Sequence, residues 1–162
     1  MKSFTVLELI ANHSNLVISK IQEEKQNSDY EGMTFFLGHH HIRSRLAKKT
    51  PTKKGYFVAA WEKDNFNQNK PFDDENSPDL LIISIMDQSK NGVFIFPKST
   101  LVTQKILNSS KTTGKMAFRV YPSWENNLNK TATKTQLWQK AFFIDLSLKI
   151  DNQKFSFLLN QR

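Results

Sequence analysis

The sequence contains no cysteine, only five glycines and five prolines, and no apolar run long enough to span a membrane. Without thiols there is neither a disulfide scaffold nor thiolate chemistry, and the expected location is the reducing cytoplasm. The scarcity of glycine and proline argues against a low-complexity linker or tail. Glu8, Asn12 and His13 interrupt the opening segment where a secretory signal needs an unbroken apolar stretch, so no targeting segment is expected. Catalytic signatures are missing too: there is no G-x-S-x-G elbow, no glycine-rich phosphate loop and no H-E-x-x-H pair. His39, His40 and His41 are adjacent, but no further His or Cys completes a zinc site, and no cofactor is expected.

What is present is charge and aromatic surface. The 162 residues carry a net charge of +8 and thirteen phenylalanines. The length suits a single domain, 1–162, with one core, and the charge favours a polyanionic partner such as nucleic acid, a nucleotide or an acidic membrane surface.

Apolar spacing from Val6 to Ile21 predicts a first helix, ended by the polar cluster 23–28. Short aromatic and β-branched runs at 33–37, 41–47 and 56–61 read as a strand meander, followed by a polar loop over 65–77. Leu80 to Met86 and Gly92 to Phe96 read as a buried hairpin, and Ser99 or Thr100 is placed to cap a helix. Met116 to Tyr121 predicts a further strand. Thr133 to Gln136 has capping-box spacing for a last helix, and the alternating tail 143–159 predicts one or two more strands. The sum is an α+β domain with a central mixed, mostly antiparallel sheet flanked by helices.

Arg43, Arg45, Lys48, Lys49, Lys53 and Lys54 lie between His41 and Trp61 without an acidic residue, beside Tyr56, Phe57 and Trp61. Phosphate neutralisation and ring stacking are the two sequence-tolerant contributions to nucleic-acid binding, and this run offers both. Arg119 and Tyr121 are two apart on a predicted strand and share a face, while Pro122 turns the chain toward Trp124. Lys134 and Trp138 share a helix face, and Gln136 and Gln139 offer amides for base edges. The expected ligand-binding set is therefore Lys48, Lys53, Lys54, Lys98, Arg119, Tyr121, Trp124, Lys134, Gln136 and Trp138. Core packing is the competing expectation for Trp61 and Trp138.

Five segments together, AKKTPTKKGYFVAAW, PFDDENSPDLLI, GVFIFPKSTL, GKMAFRVYPSW and KTQLWQKAFF, give the chain a resemblance to the MepB-like family of small cytoplasmic bacterial proteins. The likeness runs from about residue 30 to 145. It implies a restriction-endonuclease-like fold, and a protein-interaction accessory of drug efflux or its regulation as another possible role. That fold also implies a nuclease alternative, for which Mg²⁺ needs oxygen ligands on adjacent strands and a lysine steadies water or phosphate. Asp79, after Pro78, and Lys98, after Phe96-Pro97, are the catalytic candidates. Phe96 occupies the position of the second carboxylate, so binding without catalysis is the primary expectation. Glu8, Glu31 and Asp87 are the carboxylates that folding would have to bring in.

Overall fold

Leu80 to Ser84 and Val93 to Phe96 are almost wholly buried, which is how strands covered on both faces read in sequence. In the computed structural model, which describes residues 1–161, they lie at the centre of the main sheet. The chain runs through α1 (Ser3–Ser14), β1 (Ile18–Glu23), a 3₁₀ turn (Lys25–Tyr30), β2 (Met33–Leu37) and β3 (His40–Leu46). Next come β4 (Lys48–Lys49), β5 (Tyr56–Ala59), β6 (Trp61–Lys63), β7 (Asn69–Pro71), β8 (Leu80–Asp87) and β9 (Lys90–Pro97). Then follow α2 (Lys98–Thr103), β10 (Ala117–Val120), α3 (Lys130–Gln139), β11 (Phe143–Asp145) and α4 (Asn152–Leu159).

Six strands form the main sheet in the order β1-β2-β3-β8-β9-β11, and a smaller sheet has the order β10-β5-β4. In the main sheet only β3 and β8 run parallel. This is the mixed, mostly antiparallel sheet flanked by helices that the sequence predicts. Alternation along β8 divides the core. Leu80 and Ile82 join Leu7, Ile10, Phe155 and Leu158 of α1 and α4 on one face. Leu81, Ile83 and Ile85 face Val58 and Val120 of the small sheet on the other. Among the described residues no helix is long and apolar enough to cross a membrane.

Four expectations are corrected. The first helix stops at Ser14 because Asn15 turns into the left-handed region at φ 56°, its N–H closing on Ala11 and Asn12, and the remainder becomes edge strand β1. Neither Ser99 nor Thr100 caps α2, which starts directly from Pro97. The capping box is not used either. α3 begins a turn earlier at Asn129, whose side chain accepts from Ala132 N–H. The tail forms only short β11 before α4, where Asp151 accepts from Lys154 N–H and Phe155, Leu158 and Leu159 supply a helical apolar stripe.

Candidate functional site

Folding divides the basic run. Residues 43 and 45 share one face of β3. Arg45 is fully buried and donates to Glu24 Oε1 at 3.1 Å and Oε2 at 2.9 Å. Arg43 reaches Glu24 at 3.2 Å and Glu62 at 3.7 Å, with its guanidinium 3.8 Å from the centroid of the Phe72 ring. Burial pulls the Glu24 pKa up, but Arg45 and Arg43 outweigh it and hold the carboxyl below its ordinary range. The six cations are therefore not uncompensated: two belong to the interior. Lys49 also has a partner, Asp87 at 3.6 Å, on an exposed side chain where such a pair contributes little.

The remaining cations gather around the small sheet. Lys48 pairs with Phe57 and Phe57 pairs with Arg119, so the three form a row across one face. Tyr30 extends that row, its ring 5.9 Å from Phe57 and 5.1 Å from the Lys48 ammonium. Arg119 donates to the Thr50 hydroxyl, and its Nη1 is buried without a hydrogen-bond partner. Tyr121 lies over Gly55, where a Cβ would stand 2.6 Å from the ring and φ is +76°. Only glycine allows the 50–55 turn to close so tightly against that ring.

Gln139 fixes the edge carrying these side chains. Fully buried, it donates from Nε2 to Arg119 C=O at 2.9 Å and accepts Tyr121 N–H at 2.8 Å, standing in for a neighbouring strand. Gln139→Leu leaves both backbone groups unpaired. Urea titration is expected to show a loss of about 2–6 kcal/mol, summing two orphaned groups; an unchanged midpoint would contradict this anchoring role.

Arg119 and Tyr121 form the common wall of two cavities. One, of about 290 Å³, adds Lys115, Lys134 and Trp138. The other, of about 420 Å³, adds Lys53, Lys54 and Asn129. No carboxylate lines either. A third cavity of about 430 Å³ lies beyond the turn and includes Lys49, Lys53, Lys54, Lys90 and Trp124, with Asp87 and Glu125 on its wall.

The structure thus brings together Lys53, Lys54, Arg119, Tyr121, Lys134 and Trp138. Lys54 is partly engaged, donating to Asn126 C=O at 2.7 Å. Other expected residues have different placements. Gln136 donates to the carbonyls of Pro122 and Glu125 at 3.0 and 3.1 Å, so its amide, like that of Gln139, holds backbone. Trp124 donates to the Tyr56 hydroxyl at 3.2 Å, and its ring meets Phe143 edge-on at 5.5 Å. Tyr56 in turn donates to Asp87 at 2.7 Å. Burial, followed by that hydrogen bond, pushes the Tyr56 pKa up, so the phenol stays protonated. Trp138 meets Phe96 at 5.5 Å while also lining the cavity of about 290 Å³.

Lys98 lies elsewhere, in a separate cleft of about 770 Å³ with Asp79, His39, His40, Asp74 and Glu75. Leu80 pairs with Pro97 in the β8–β9 hairpin, and Lys98 N–H donates to Asp79 C=O at 2.9 Å. The two catalytic candidates are therefore neighbours. Burial and His39 lower the His40 pKa against the opposing pull of Asp79, favouring a neutral imidazole. Phe96 is absent from this cleft and fully buried in the aromatic core. The other carboxylates considered are not supplied: Glu31 holds Ser3, Asp87 holds Tyr56, and Glu8 lines a distant small cavity. Among the described residues, no three His, Cys, Asp or Glu side chains gather as a metal site.

Sequence reasoning missed Tyr30 and the partner role of Glu24. No local periodicity links either to the basic run. The row from Lys48 to Phe57 to Arg119 depends on pairing between segments sixty residues apart, and Thr50 as the Arg119 partner lies within a turn.

The sequence model of the MepB-like family matches residues 24–145. A solved crystal structure of MepB is 46% identical, with 92% of this chain and 99% of that chain covered and a TM-score of 0.81. A bacterial homing endonuclease, I-Ssp6803I, is 10% identical over 85% of this chain and 86% of that chain, with a TM-score of 0.48. No curated protein sequence matches.

Proposed function

The chain belongs to the MepB-like family, and from the geometry of its groove we propose that it binds nucleic acid or a nucleotide without catalysis. The site lies between β10, the 50–55 turn and α3. One observation carries the reading: two adjoining cavities share Arg119 and are lined by Lys53, Lys54, Lys115 and Lys134 with no carboxylate. A guanidinium supplies paired donors to phosphate, lysines add point charges, and Tyr121 and Trp138 add ring surface. Solvated lysines alone are common on a basic protein. A half-buried arginine that lines both cavities is the feature that favours an anion.

Fluorescence anisotropy with a labelled oligonucleotide at low salt tests the reading. Arg119→Ala removes charge-assisted hydrogen bonds worth about 1.5–3 kcal/mol, so binding is expected to weaken about tenfold to a hundredfold. Lys53→Glu, an exposed charge reversal, provides a second probe without disturbing the core. Absence of binding at low salt, or binding indifferent to both substitutions, overturns the proposal. Metal-dependent cleavage lost in Asp79→Ala would assign the protein to the nuclease alternative, since Asp79 and Lys98 do share a cleft.

A further inference from the structure

We infer that the ligand is a single strand of nucleic acid laid along three adjoining cavities, a conclusion that rests on the binding reading above. The cavities are linked by shared residues. The one of about 430 Å³ shares Lys53 and Lys54 with that of about 420 Å³, which shares Arg119 and Tyr121 with that of about 290 Å³. Cations therefore follow a path: Lys49 and Lys90 at one end, Lys53 and Lys54 in the middle, then Arg119, and Lys134 at the far end. The carboxylates on this path are confined to the first cavity. Asp87 there is engaged by the Tyr56 hydroxyl and Lys49.

Three features favour a strand over a duplex or a lone nucleotide. Arg119 is half-buried and lines two of the cavities, so its charge sits within a recess rather than on a projecting rim. The phosphates of a duplex are held on a stiff cylinder with the bases turned inward, whereas a flexible strand can lower one phosphate into a recess and turn its bases outward. Aromatic rings occur along the path, with Trp124 in the first cavity, Tyr121 in the next two and Trp138 in the last. Finally, each cavity lies near the roughly 300 Å³ lower end of small-molecule sites, so the path suits about three nucleotide units in sequence.

The test is a length series of oligothymidylate and oligouridylate, from the mononucleotide to about eight units, compared with a duplex of matched charge by anisotropy. Affinity is expected to climb steeply to about three units and then level off, with the duplex at least about tenfold weaker. The logarithm of affinity should fall against that of salt with a slope of about −0.7 for each phosphate neutralised. Lys90→Glu and Lys134→Glu alter exposed residues at opposite ends of the path. Each should weaken the longer strand about tenfold, with Lys90→Glu, outside the two cavities that share Arg119, leaving the mononucleotide unchanged. Equal affinity for mononucleotide and longer strand overturns this inference while leaving the binding reading intact, as does tighter binding of duplex. No binding of any member at low salt overturns both.

Discussion

Glu24→Ala is expected to lower the unfolding free energy by about 3–5 kcal/mol, read as a shift in urea midpoint at unchanged slope. The magnitude follows from what remains. Arg45 is fully buried, and its Nε already lacks a hydrogen-bond partner. With Glu24 removed, Nη2 loses its carboxylate and Nη1 retains only the Ser44 carbonyl at 2.9 Å. An arginine cannot discharge itself at ordinary pH, so its charge stays buried and uncompensated. Arg43 simultaneously loses its 3.2 Å partner. Glu62→Ala provides the comparison: its contact with Arg43 is longer, 3.7 Å, and its side chain is 24% exposed, so the expected cost is below about 1 kcal/mol. If the two substitutions cost the same, the buried cluster does not hold the fold.

The same carboxylate gives the acid limb of stability its shape. Its pKa is lowered from the ordinary 4.5, so the unfolded chain binds its proton first as pH falls. The stabilisation is complete above that value and drains away as pH falls through the lower folded pKa. Glu24→Gln should flatten the acid slope below about pH 4.5 in addition to lowering stability at neutral pH.

Where a residue's role depends on its own strand or hairpin, the sequence makes it legible. The period of two places Arg119 and Tyr121 on one face, and the short hairpin places Asp79 beside Lys98 before any coordinates are considered. Where the role depends on a distant partner, local pattern is silent. Arg43 and Arg45 look like Lys53 and Lys54 in the charge run, yet the first pair is interior and the second exposed. Their neutralising carboxylate follows β1, an edge strand almost entirely exposed and therefore without the apolar alternation that reveals a strand. Likewise, Gln136 and Gln139 present amides to any sequence reading. Only the packing of α3 shows that both amides are taken by backbone groups near β10 and the following turn.

Phe96→Ala is expected to destabilise the protein by about 3–5 kcal/mol, the range for deleting a large aromatic ring from a packed core. Phe96 is fully buried, with Phe94 at 5.4 Å, Trp138 at 5.5 Å, Phe142 at 5.6 Å and Phe118 at 6.4 Å between ring centroids. It joins the main sheet, β10 and the α3 region in one aromatic cluster, so the cavity left by truncation cannot close by moving a single side chain. Phe96→Asp should cost more, because it adds a carboxylate without a partner to the same cavity, and thermal melting should show little folded protein. Asp79→Ala makes the contrast. Asp79 is exposed, its side chain accepts a long hydrogen bond from His41 N–H at 3.4 Å, and the expected change is within about 0.5 kcal/mol. Equal tolerance at both positions would contradict this division. The contrast sets an exposed carboxylate at the rim of a cleft against a ring of the core that holds the strands together.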